Sequence, residues 1–94
     1  MRIALDHVSA EPLSDQLSAA LARRILRGSL APGARLPTVR ALAEELELAP
    51  NTVAKAYRAL ERERLIATLG RRGTFVVDRL PERVPGRERR LAEA

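Results

Sequence analysis

The chain has 94 residues, 17 of them Lys or Arg against 12 Asp or Glu, for a formal net charge of +5; this length suits one domain with a modest core. With no Cys and a single His, it excludes a disulfide scaffold, thiol chemistry and Cys-ligated zinc, and it leaves His7 without partners for a metal site or a triad. No apolar run approaches a membrane span, and Asp6, Glu11 and Asp15 leave no signal-peptide pattern, so a cytoplasmic, basic domain suited to binding rather than catalysis is expected.

Residues 1–11 carry no helical stripe. Ile3 and Leu5 alternate with polar or small neighbours, the pattern of a short strand or an extended arm. Pro12 then suits the first turn of a helix, where its missing N–H is no loss. Leu13, Leu17, Leu21 and Ile25, with Ala20 beside them, recur on one helical face. Gly28 ends that helix, and Arg23, Arg24 and Arg27 in its last turn complement the helix dipole.

Pro32-Gly33 makes a turn, and Ala34–Leu36 is long enough for one rung of a strand at most. Thr38 is a good N-cap for a second, short helix. Its stripe is Val39, Leu42, Ala43 and Leu46. After a tight connection at Glu47–Pro50, a third helix carries Val53, Ala56, Tyr57 and Leu60 on one face. Asn51, Thr52, Lys55, Arg58 and Arg62 lie on the other. Two short stripes joined in this way read as a helix-turn-helix over about residues 38–62. The second helix of such a pair commonly enters the DNA major groove.

The period then changes. Leu65–Leu69 is apolar and partly β-branched, Gly70-Arg71-Arg72-Gly73 is a turn, and Thr74–Val77 has high β-propensity. A hairpin over residues 65–77 directly after a helix-turn-helix predicts a winged helix: mainly α, three helices plus a small β-hairpin. Phe75 is expected in the core. Tyr57 is expected there too, its hydroxyl at the rim or within reach of a phosphate. Residues 78–94, with Pro81, Pro85 and Gly86, read as a short tail, disordered or part helical.

The charge is uneven. Residues 51–77 hold six basic and two acidic side chains, most of the excess. A local basic excess is what a phosphate backbone attracts, although basic charge also keeps small domains soluble. Two aromatics assigned to packing argue against single-strand binding, which relies on stacking. There is no Walker-type phosphate loop, nucleophile–base pair or metal constellation, so neither catalysis nor a cofactor is expected.

Gly28-Ser29-Leu30-Ala31-Pro32-Gly33, Leu36-Pro37-Thr38-Val39-Arg40-Ala41-Leu42-Ala43, Asn51-Thr52-Val53 and Gly73-Thr74-Phe75-Val76 resemble the GntR family of bacterial winged-helix regulators. The resemblance runs from about Pro12 to Val77. Within the family, Pro50-Asn51-Thr52-Val53 and Ala56–Arg62 look most like the YtrA-type subgroup and the DNA-binding half of MocR-type fusions. The resemblance implies a domain over 12–77 that binds an inverted repeat in duplex DNA as a homodimer, most often to repress transcription. It implies DNA contacts by Arg40, by Asn51, Thr52 and Lys55, and by the wing residues Arg71, Arg72, Gly73 and Thr74. Arg35, Thr38 and Arg58 complete the expected interface. Whether a small-molecule effector binds stays open.

The chain departs from the family pattern at Pro50, where an Arg is common, and at Glu47 and Arg64, where turn glycines are common. It also departs at Ala41, which leaves a capping box half made. Other readings remain. Arg40 could pair with Glu44 one turn on, and Asn51 and Thr52 could cap α3. The whole could be a protein–protein adaptor, or a fragment of a longer effector-responsive regulator.

Overall fold

The computed structural model describes residues 1–82. Leu17, Leu21 and Ile25 lie buried on one face of α1 (Leu13–Arg27), which packs on α3 (Pro50–Arg62). Ala22 rather than Ala20 completes that face. Pro12 stands at the N-cap, and its carbonyl accepts from Asp15 N and Gln16 N at 3.0 and 3.1 Å. Gly28 closes the helix in the left-handed conformation, φ 84°.

Helix α2 (Val39–Leu46) buries Leu42 and Ala43 and packs on α3. Thr38 Oγ1 accepts from Ala41 N at 3.0 Å, the cap that its position predicts. Glu47 ends α2 at φ 56° and Arg64 follows α3 at φ 62°. The backbone therefore turns left-handed at both positions where a Gly would be unstrained. The chain bonds back to each helix just past the turn, Leu48 N to Ala43 O at 2.8 Å and Leu65 N to Leu60 O at 3.0 Å.

The wing is a three-stranded antiparallel sheet rather than a hairpin alone. β1 (Arg35–Leu36), β2 (Ile66–Thr68) and β3 (Thr74–Val76) stand in the order β1-β3-β2. Two residues have no readable period of their own. β1 exists because β3 offers its free edge, and Val76 N to Ala34 O (2.8 Å) and Gly33 N to Val76 O (3.0 Å) extend the pairing.

Phe75 departs from its expected place in the core. In a strand of three residues only one parity can face the helices, and Val76 takes that side at 2 % exposure. Phe75 is half-buried in a row with Arg35 and Ala67 across the outer face.

The N-terminal arm is extended but is not a strand. Met1, Ile3 and Leu5 are half-buried against the core while Arg2, Ala4 and Asp6 are exposed. Gln16 clamps the arm to α1. Its Oε1 accepts from Asp6 N at 2.8 Å, and its Nε2 donates to the carbonyls of Asp6 and Glu11, each at 2.9 Å. Arg24 donates to the Arg2 carbonyl. Most of the expected tail, from residue 83 on, lies outside the described residues. Leu80, before it, packs against the core. Among the described residues no helix is long and apolar enough to cross a membrane.

Candidate nucleic-acid interface

Helix α3 separates its two faces completely. Val53, Ala56, Tyr57 and Leu60 are buried, and Asn51, Lys55, Arg58 and Arg62 are exposed. At about 100° per residue these four exposed side chains fall within one narrow arc, opposite the buried stripe. The N-cap is Ala49, with Pro50 in the first turn and no side-chain cap. Asn51 and Thr52 therefore do not cap α3 with their side chains. Thr52, half-buried, has its backbone N–H on Ala49 O at 3.0 Å.

Tyr57 fixes how α3 meets α2. Its ring is buried at 4 % exposure, and its hydroxyl donates to Pro37 O at 2.7 Å. Burial, and secondarily the negative charge of Glu45, push the phenol up to about 12 from 10.0. The group is thus a neutral donor at physiological pH. The hydroxyl serves Pro37, immediately before the Thr38 cap, which leaves it no phosphate role. Arg40 follows in the first turn of α2 and is exposed.

The wing tip is a single 3-10 turn, Gly70–Arg72, with Arg71 and Arg72 both exposed. Leu69 N donates to Gly73 O at 2.8 Å, and the hydroxyls of Thr68 and Thr74 meet at 3.4 Å across the strands. Gly73 has φ 106°, and a β-carbon there would come within 3.0 Å of Arg35 Nε and 3.3 Å of Nη2. The bare α-carbon is therefore a seat for the Arg35 guanidinium. The structure groups Arg35 with the wing.

The cations of this surface are not neutralised. The Met1 ammonium, on the N-terminal arm, pairs with Glu45 at 2.6 Å. Among the described residues Arg40 does not pair with Glu44, and Lys55, Arg58, Arg71 and Arg72 meet no carboxylate. Such a set of exposed positive charges favours a polyanion.

Three features of the site escaped the sequence reading. The Tyr57–Pro37 bond, the Arg35–Gly73 contact and the pairing of β1 all join residues far apart in the chain. The signal for the second was Gly73 itself, flanked by β-formers where a Gly weakens a strand.

The profile of "Bacterial regulatory proteins, gntR family" matches residues 13–76. The chain is 49% identical over 72 residues to the HTH-type transcriptional regulator Rv1152 of Mycobacterium tuberculosis, covering 77% of this chain and 60% of that protein. It is 43% identical over 74 residues to the HTH-type transcriptional repressor YtrA of Bacillus subtilis, covering 79% and 57%. The solved structure of YtrA from Sulfolobus acidocaldarius, a GntR-family transcription factor, superposes with a TM-score of 0.75 at 33% identity, covering 86% of this chain and 68% of that one. The chain thus spans about three-fifths of the two curated relatives.

Proposed function

The chain belongs to the gntR family of bacterial regulatory proteins, and on that footing we propose that it binds duplex DNA in a sequence-dependent way as the DNA-binding unit of a transcriptional repressor. The observation that carries the reading is the group of exposed cations on α2, α3 and the wing tip with no carboxylate within 4 Å among the described residues. The repressor direction follows the name of the Bacillus relative.

In this reading residues 12–77 form the binding unit, with residues 1–11 as an arm and 78–94 as a tail. The exposed face of α3 enters the major groove with Asn51, Thr52, Lys55 and Arg58. Thr38 and Arg40 hold the adjoining phosphates. Arg35, Arg71, Arg72, Gly73 and Thr74 follow the strand beyond. One such unit covers about 600–1,000 Å² of protein surface, so single-copy affinity is modest. A homodimer on an inverted repeat supplies the remainder, since a second half-site is bound intramolecularly.

The test is selection from random duplex DNA with the 94-residue chain at two salt concentrations. An enriched inverted repeat supports the reading and gives the half-site spacing. Absence of binding at low salt overturns it in favour of a protein adaptor.

A further inference from the structure

We propose that α3 reads two bases, adenine through Asn51 and guanine through Lys55, within about two base pairs of each other on one groove floor. The proposal rests on the duplex-DNA reading above and adds to it the identity of the bases.

Asn51 is the first polar side chain of α3, exposed and directly after the apolar Pro50. Residues at this end of a recognition helix are the ones that reach base edges. The capping role that would otherwise occupy an Asn here is not taken up, and among the described residues its amide has no hydrogen-bond partner. A primary amide offers one acceptor and one donor side by side. In the major groove adenine presents the matching pair, the N6 donor and the N7 acceptor; guanine shows two acceptors, cytosine a donor and thymine an acceptor with a methyl group.

Lys55 lies four residues further on, about 6 Å along the axis and turned by about 40°. Its ammonium has donors only, and of the base edges guanine N7 and O6 are the acceptor pair that suits it. Side chains three residues apart on a helix lying in the major groove can meet successive bases, so a four-residue spacing places the two contacts within about two base pairs of each other. Between the two, Val53 faces the core and does not compete for the groove floor. Arg58 lies on the same face about 10 Å from Asn51 along the axis, beyond the N-terminal part of the helix that reaches base edges.

The experiment starts from the motif that the full chain selects from random duplexes and repeats the selection with Asn51→Ala and Lys55→Ala. The affinities of all three proteins are then measured on the selected duplex, on one with the adenine replaced by 7-deazaadenine, and on one with each adenine–thymine pair exchanged in turn. The expected result is an adenine and a guanine within about two positions of each other in the wild-type motif. Exchange of that adenine should weaken wild type by about 5- to 150-fold and leave Asn51→Ala unaffected. Lys55→Ala should lose the guanine alone. Both side chains are exposed, and unchanged thermal unfolding verifies that the variants fold.

The inference is overturned if Asn51→Ala selects the same motif with the same adenine, or if the exchange costs it as much as it costs wild type. In that outcome the DNA-binding reading still stands. If the wild-type chain enriches no motif at all, both fall together.

Discussion

The Tyr57 hydroxyl donates to the Pro37 carbonyl at 2.7 Å and so ties α3 to the residue that precedes the α2 N-cap. The bond joins the two helices of the helix-turn-helix at the point from which Arg40 projects. Tyr57→Phe keeps the ring and removes the donor, and it should cost about 1 kcal/mol in urea unfolding. The pH dependence gives a sharper signature. The folded phenol is held at about 12 against 10.0 unfolded. A raised folded value means that the contribution is complete below pH 10 and is lost as pH rises through 12. The stability difference between wild type and Tyr57→Phe should therefore be flat to pH 10 and shrink above it. A difference that is constant across this window would contradict the assignment.

Glu47 and Arg64 hold φ values of 56° and 62°, a region that costs a side-chain-bearing residue about 1 kcal/mol relative to Gly. Glu47→Gly and Arg64→Gly should each raise the melting temperature by several degrees, since about 1 kcal/mol moves a domain of this size by about 4–8 °C. Unchanged or lower melting temperatures for both would show that the surrounding turns favour these side chains.

Gly73 combines a φ of 106° with a close approach to Arg35. Gly73→Ala should destabilise the wing through backbone strain and displace the guanidinium as well. Arg35→Ala removes the obstacle but not the strain. The double variant should thus be less destabilised than the sum of the two single variants in denaturant unfolding. Simple additivity would mean that the two residues do not interact.

Thr38→Ala removes the acceptor for Ala41 N and should cost about 0.5–2 kcal/mol. Thr38→Ser should restore most of it. Because a hydroxyl also has a proton to donate, Thr38→Ala is further expected to weaken DNA binding beyond its effect on stability, measured at a temperature where both proteins are folded.

Arg71 and Arg72 stand exposed at the wing tip, without carboxylate partners among the described residues. Replacing both with Ala should lower affinity for all duplex sequences and reduce the slope of log K against log salt by about two units. An unchanged slope would remove the wing tip from the interface.

Much of the architecture was legible because helix formation is local. The i, i+3, i+4, i+7 stripe of α2 and that of α3 mark the buried faces with little loss, and Thr38 and Gly28 stand at the caps that their chemistry predicts. The exposed stripe of α3 followed by subtraction. The wing was less legible. Strands of two and three residues show too little alternation to declare a face, and Phe75 lies on the outer side rather than in the core that its residue type suggests.

By itself the sequence determined the number and order of helices, the position of the glycine turn and the concentration of positive charge after residue 50. These depend on residues within a turn or two of one another, and periodicity and capping record them directly. Only the tertiary structure decided that β1 joins the sheet, that Tyr57 spends its hydroxyl on Pro37 and that Arg35 rests on Gly73. Each of these depends on partners brought together by packing α1, α2 and the sheet around α3. No local pattern encodes an edge, a carbonyl or a bare α-carbon that arrives from elsewhere in the chain.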